Sequence, residues 1–370
     1  MKHLFVANKI GRAWGGLERY NYEMLKCLRM HGEELFSYVH TNNTDDLEGV
    51  DLLPYHKYID RLLIGKRLEL FAKRNKVDAL HCMHLRLSKI VEKLSEATGK
   101  KYNLFVYGRD CWGTRFKKYN LDFEKIAKII SISDYTTEQI VSQGARPEKI
   151  IQIPPLIDTS ESQESSYENK EKDFILISVG RLDPESSYKG QDMVIRALPR
   201  IAERVPSVQY WIVGKGENSE GLAKLAEENG VSKRVSFLGF VSDEHLKELY
   251  GRSTVFIMPS RVSLDPPDNP QGEGFGIVYL EAGLHGLPVI GPNEGGPRDV
   301  IRDGVNGFAV NPRSLDEIAE AVIKLAKSEG LRKEMAANAK RIVKERFSLS
   351  LLPKYIEPLM RQDSYIIRER

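Results

Sequence analysis

The stretch EGFGIVYLE, residues 273–281, sets Glu273 and Glu281 eight positions apart with Gly274 and Gly276 between them. A helix starting near Gly276 would aim unpaired N–H groups at whatever precedes it, and its dipole would favour an anion there. The two glycines would let backbone approach that anion without a Cβ in the way. A helix rises about 1.5 Å per residue, so Glu281 lies well along from Glu273. A hydrolase acid/base pair instead holds its carboxylates roughly 5–9.5 Å apart around one bond. The spacing suits a ligand with an anion in its middle and hydroxyls at either end. A sugar–diphosphate–ribose has that layout, Glu281 accepting from ribose hydroxyls and Glu273 facing the sugar. The same spacing also fits a capped helix with one solvated and one buried glutamate.

A second cluster of chemistry-bearing residues is SVGRLDPESSYKGQDMVIRAL, with Arg181 just past an expected strand and Lys189 just before an expected helix. Fixed cations at such a rim can stabilise the charge developing on a departing nucleoside diphosphate without a metal. No DxD or His/Asp cluster suited to Mg²⁺ is present, so no metal site is expected. An ordinary surface Arg and Lys would read the same way in isolation. The loop RAWGGLERY carries Gly15 and Gly16 between a first strand and a first helix. It is similar to a phosphate-cradling turn but lacks the full GxGxxG, as does GKGENSEG at 214–221, which disfavours a nicotinamide or flavin dehydrogenase.

The elements that must carry these residues alternate short apolar runs with longer amphipathic ones, the pattern of βα units and parallel sheets. Strands are expected at 3–8, 78–83, 102–107, 128–133 and 149–154, with helices at about 17–30, 62–76, 86–97 and 134–143. The stretch IDTSESQESSYENKEK, 157–172, has almost nothing apolar and reads as a linker. The pattern then restarts, with strands at 174–180, 208–214, 234–239, 253–259 and 287–291. Helices follow at about 190–204, 219–229 and 276–286, and the tail from Leu315 is helical with breaks near Gly330 and Ser348. The expectation is α/β, two doubly wound Rossmann-like domains facing an interdomain cleft, with ligands at strand carboxyl ends. The boundaries are 1–157, a polar linker at 158–173, 174–348, and a helical tail at 349–370.

The 370 residues accommodate two ordinary domains, and 41% apolar with 29% charged residues fits a soluble protein with real cores. A formal charge of +3 does not suggest a nucleic-acid binder. Cys27, Cys82 and Cys111 form no CxxC and read as reduced thiols. The opening apolar run LFVA is too short for a signal core, and no stretch approaches the ~18 apolar residues of a membrane span. The expected location is cytoplasmic, at most peripheral on the inner face of the cell membrane. RLLIGKRLELFAKRNK, 61–76, carries six Lys/Arg against one Glu, with Ile64, Leu68 and Phe71 at helical spacing beside Leu63 and Leu70. It reads either as a helix covering the first sheet or as one that lies on an anionic membrane.

Taken together, GGLER at 15–19, GRL…KG at 180–190, VGKGE at 213–217, FLGFVSDEHLKELY at 237–250 and MPS…EGFGIVYLEAGLHGLPVIG…GG at 258–296 resemble retaining glycosyltransferases of the GT-B fold, family 4. The last run holds that family's glutamate–seven–glutamate signature. The resemblance implies that Gly15 and Gly16 approach the donor phosphates or the acceptor, and that Arg181 and Lys189 bind the diphosphate. It implies that Val241 contacts the nucleobase through its backbone and that Gly274, Phe275, Gly276 and Ile277 supply donor contacts. Glu281 would hold the ribose and Glu273 the transferred sugar, and the final helical segment would return to the first domain.

Two departures from the family pattern stand out. Where many relatives have His–Gly, this chain reads Tyr107–Gly108–Arg109–Asp110, leaving Tyr107 to contact the sugar and Asp110 to act on an acceptor hydroxyl. The loop between Arg181 and Lys189 is also longer than usual. The implied reaction moves a hexose with retention from a nucleoside-diphosphate sugar to a hydroxyl of a glycan or lipid-linked acceptor. No cofactor is required, and departing phosphate oxygens take the acceptor's proton. The motifs look most like those of mannosyltransferases using GDP-mannose. A UDP-sugar donor and a sugar-nucleotide epimerase of the same fold are the alternatives.

Overall fold

The computed structural model describes residues 1–8, 10, 16–39, 49–53, 57–160 and 173–360, with backbone only for 57–62. The chain divides into two compact units. The first takes residues 1–156, 265–269 and 350 onward, and the second takes 157–264 and 270–349.

Unit 1 opens with β1 (Lys2–Ala7), α1 (Gly16–Met30), β2 (Glu34–Val39), β3 (Val50–Leu53) and α2 (Lys57–Asn75). It continues with β4 (Ala79–Cys82), α3 (Ser88–Thr98), β5 (Tyr102–Val106), α4 (Arg115–Lys118), β6 (Ile126–Ser131), α5 (Asp134–Ser142) and β7 (Ile150–Gln152). Its strands form a seven-stranded sheet in the order β3-β2-β1-β4-β5-β6-β7, every pair parallel. Parallel strands are covered on both faces and so read as continuous apolar runs. Accordingly Leu4, Phe5 and Val6 of β1 and Leu104, Phe105 and Val106 of β5 are fully buried. On α1 the buried side is Tyr20, Met24, Leu25 and Leu28, the i, i+4, i+8 stripe of an amphipathic helix.

Unit 2 runs β8 (Phe174–Val179), α6 (Gln191–Arg204), β9 (Val208–Val213), α7 (Ser219–Glu228), β10 (Val235–Gly239), α8 (Asp243–Arg252) and β11 (Val255–Ile257). Then come α9 (Ile277–Leu284), β12 (Val289–Pro292), β13 (Gly307–Val310), α10 (Leu315–Lys327) and α11 (Glu329–Arg346). The six-stranded order is β10-β9-β8-β11-β12-β13, again all parallel, the doubly wound order of a dinucleotide-type fold. Val194, Ile195, Leu198 and Ile201 of α6 pack with Ile318, Val322 and Leu325 of α10 in one core cluster. The last helix among the described residues, α12 (Leu352–Ile356), belongs to unit 1 and packs on α1, with Leu352, Ile356 and Leu359 buried.

Most expected elements appear within a few residues of their expected bounds. Ahead of the expected helix at 62 the described residues also contain β3 and the start of α2, which begins five residues early at Lys57. The break expected near Gly330 falls at Ser328, whose hydroxyl accepts from the Leu331 N–H at 3.2 Å and so caps α11. Of the expected linker, 161–172 lies outside the described residues. Cys27, Cys82 and Cys111 are free, and all three are buried.

Candidate functional site

In each unit the strand order reverses beside the first strand, and in such sheets ligands bind past the carboxyl ends at that reversal. In unit 2 the reversal lies between β8 and β11. Arg181 and Lys189 follow β8, and Glu273 sits on the segment between β11 and α9. The loop after β8 closes with a 3₁₀ turn, Pro184–Lys189, which folds the lysine back so that a Cβ on Gly180 would stand 2.9 Å from Lys189 Cδ. Gly190 then turns at φ +85°, where a Cβ would meet the Pro259 carbonyl oxygen at 2.2 Å. Only glycine can follow the lysine here, and this close approach carries Lys189 to the end of β11.

Lys189 Nζ donates to Glu273 Oε2 at 2.6 Å, the two side chains being 12% and 18% exposed. Burial works to lower the lysine's pKa, but the Glu273 charge and hydrogen bond outweigh it and hold the group above its ordinary value. Nζ also lies 5.5 Å from the Tyr188 ring centre. Arg181 differs: its side chain is 74% exposed, and its nearest acid, Asp183, is 3.7 Å away. One cation is therefore tied to a carboxylate and the other is open to an incoming anion.

Helix α9 starts at Gly276, in the left-handed region at φ +92° and with no side chain capping it. A Cβ there would meet the Tyr279 ring at 2.6 Å. The Tyr279 hydroxyl donates to the Met258 carbonyl, fastening the start of α9 to the end of β11. The free N–H groups of α9 thus begin three residues after Glu273. Glu281 is half-buried farther along α9, and its charge, after burial, adds to what raises the Tyr250 phenol's pKa. His285 donates from Nδ1 to the Glu281 carbonyl at 2.8 Å and packs on Tyr250, a structural histidine.

Of the other expected residues, Gly274 and Ile277 are half-buried in the same segment. The Phe275 ring is buried against Phe347, 5.7 Å between centres, so only its backbone is left to touch a ligand. Val241 is half-buried just past β10, beside the exposed Phe240, whose ring lies 5.7 Å from Lys215 Nζ. In unit 1 Gly16 is the first residue of α1, while Gly15 lies outside the described residues. Tyr107 is buried, and its hydroxyl donates to Asn21 Oδ1 at 2.7 Å. Asp110 Oδ1 accepts from the Tyr107 N–H at 3.0 Å.

One supporting contact was invisible in the sequence. Arg261 forks onto Asp192 at 2.8 and 3.0 Å and donates to the Ser187 carbonyl at 2.7 Å, bracing the turn that presents Lys189. Its partners lie 69 and 74 residues away, beyond any local pattern. Among the described residues no three His, Cys, Asp or Glu side chains gather as a metal site. Among them, too, no helix is long and apolar enough to cross a membrane.

This arrangement can be set beside known proteins. The model described as Glycosyl transferases group 1 matches residues 159–342, and that described as Glycosyltransferase Family 4 matches 14–161. A GDP-mannose-dependent alpha-(1-6)-phosphatidylinositol monomannoside mannosyltransferase of Mycobacterium tuberculosis is 34% identical over 203 residues, 52% of this chain and 51% of the relative. An uncharacterized glycosyltransferase of Methanocaldococcus jannaschii is 31% identical over 261 residues, 67% and 63% of the two chains. The chain spans about half the length of the curated mannosyltransferases it matches. Among solved structures, Anabaena HepE in complex with UDP superposes with a TM-score of 0.80 at 20% identity, covering 97% of this chain and 99% of the other. With two models matching between them from residue 14 to residue 342, the chain belongs to the group 1, family 4 glycosyltransferases.

Proposed function

We propose that the chain transfers mannose from GDP-mannose, with retention and without a metal ion, to a hydroxyl of a glycan or glycolipid acceptor. The observation that carries this reading is the charge layout at the β8/β11 reversal. Arg181 stands open, Lys189 is held charged against Glu273, and the N–H groups of α9 follow. A nucleoside diphosphate leaving group gains negative charge as the anomeric C–O bond lengthens. Preorganised cations and helix N–H groups stabilise that charge without reorganising. The acceptor oxygen forms the new bond on the face the diphosphate leaves, and its proton passes to a departing phosphate oxygen. Glu273 hydrogen-bonds the sugar, steered by Lys189, and Glu281 accepts from the ribose.

The choice of GDP-mannose is supported by relatives named as GDP-mannose-dependent, at 30 to 34% identity over 175 to 203 residues. Thermal-shift measurements with GDP, UDP and ADP test the base. Stabilisation by GDP is expected, and stabilisation by UDP alone would overturn the donor assignment. Turnover of GDP-mannose in excess EDTA tests metal independence, and the anomeric configuration of the product tests retention.

A further inference from the structure

Within unit 2 a cavity of about 280 Å³ opens between the turn after β8 and the starts of α6 and α7. Its walls are the 181–187 segment, the first turns of α6, the α7 face from Asn218 to Glu228, and Arg261. Lys189 and Glu273 lie outside those walls, and Arg181 is the one donor-site residue among them. We infer that this cavity is a regulatory site for a small phosphomonoester that also carries hydroxyls, a phosphorylated sugar or polyol. Its occupant draws Arg181 away from the donor diphosphate and so slows transfer. The cavity stands on its own geometry, whereas its effect on turnover rests on the transferase reading.

The Asn218 N–H donates to the Leu182 carbonyl at 2.9 Å, which fastens the turn after β8 to the start of α7. Neither α6, after Gly190, nor α7, after Asn218, has a side-chain cap, so two positive helix ends face this space. Arg196 is exposed on α6 and has no acid partner among the described residues. Lys224 has its nearest acid, Glu228, at 4.0 Å, and Arg181 has Asp183 at 3.7 Å, both loose pairs. Arg261 is already committed to Asp192 and the Ser187 carbonyl. Among the residues lining the cavity, Ser186 and Gln191 are buried, and Ser186 Oγ and Gln191 Nε2 have no hydrogen-bond partner. Buried polar groups in a folded chain are seldom left unpaired, and both of these can donate to a phosphate oxygen. The carboxylates of Asp183 and Glu228 repel a polyanion but accept from hydroxyls, and the volume leaves space beyond one phosphate for a sugar-sized body. One guanidinium cannot serve two anions at once. With Arg181 turned to the cavity, the departing diphosphate keeps only the start of α9 and Lys189, itself tied to Glu273.

Titration calorimetry on the full chain without nucleotide reads binding directly, with mannose 6-phosphate, glycerol 3-phosphate and inorganic phosphate as probes. At least one ester is expected to bind, and more tightly than inorganic phosphate. Arg196→Ala and Lys224→Ala are each expected to weaken it about tenfold, the scale of one charge-assisted hydrogen bond, with the affinity for GDP unchanged. In turnover assays the bound ester is expected to lower kcat several-fold in wild type and less in either variant. Thermal melts verify that both variants are folded. Failure of both esters to bind, as for a groove filled by water alone, would overturn the site. So would equal affinity for inorganic phosphate, or unchanged ester affinity in both folded variants. Ester binding with undiminished kcat would overturn the regulatory role. Ester binding with no transfer from any nucleotide sugar would leave the cavity assignment standing and remove the transferase reading instead.

Discussion

Lys189 and Glu273 share a contact that neither tolerates losing alone, because each is largely withdrawn from water. Removing one partner strands the other charge, at a cost of about 1–3 kcal/mol. Lys189→Met and Glu273→Gln should each lower the urea midpoint. The double variant should lose less than the sum, as a double-mutant cycle would register. Arg181 is exposed and has no comparable packing role, so Arg181→Ala should leave stability unchanged yet cut kcat by about 10²–10³-fold, the scale of one preorganised contact. A nucleotide-release assay with a thermal melt separates the two behaviours.

A buried relay in unit 1 predicts a response to acid. Asn103 Nδ2 can only donate to His81 Nδ1, at 3.3 Å, so His81 donates from Nε2 to His3 Nδ1 at 2.9 Å, and His3 donates from Nε2 to Glu33 at 3.1 Å. Burial lowers the pKa of His3, with Glu33 opposing, and pushes His81 well below the ordinary value. The unfolded chain therefore takes up protons below about pH 6.5 that the folded chain refuses, and stability falls as pH drops from there. Urea melts at pH 7.5 and 5.5 should show a lower midpoint in acid, and His81→Gln should shrink the difference.

Among the elements, α2 resolves an ambiguity that composition left open. Ile64, Leu68 and Ala72 are buried, and Phe71 meets Phe36 edge-on at 5.1 Å, so the stripe that looked lipid-facing belongs to the unit 1 core. A different stripe is turned outward: Leu63 at 56% and Leu70 at 58% exposure, with Lys66, Lys73 and Arg74 beside them. Apolar side chains flanked by cations favour an anionic bilayer surface. Co-sedimentation with anionic vesicles at low salt should capture the chain, and Leu63→Glu with Leu70→Glu should release it. Equal recovery with neutral vesicles, or none at all, would remove this role. Elements whose side chains are buried on both faces, such as β1 and β8, were legible because their apolar runs are unbroken. β2, ELFSYV, escaped notice because Glu34 and Ser37 interrupt its run, and β13 because it has four residues and begins with glycine. The Gly-rich turn into α9 was readable as a local pattern, whereas the Lys189–Glu273 contact joins residues 84 apart and had to be seen in three dimensions.

At the scale of the whole molecule, the two units are not successive lengths of chain. Unit 1 includes 265–269, where the Pro267 carbonyl accepts from the Thr114 N–H at 3.0 Å, and it is completed by α12. Deleting everything after residue 349 would expose the sites of Leu352, Ile356 and Leu359, three aliphatic side chains together worth on the order of 5 kcal/mol. Hydrogen exchange should then show β1 and α1 losing protection while β8 and α6 keep theirs. Equal loss in both units would contradict the division.

That interleaving has a bearing on how the protein is made. A ribosome delivers α1 early and α12 more than three hundred residues later, at about 5–20 residues per second. For tens of seconds the nascent first sheet lacks α12, because the whole of the unit 2 core, which extends to Met335 of α11, is made in between. The first sheet thus awaits a helix made after all of unit 2, and unfinished chains would present bare apolar surface to chaperones and proteases.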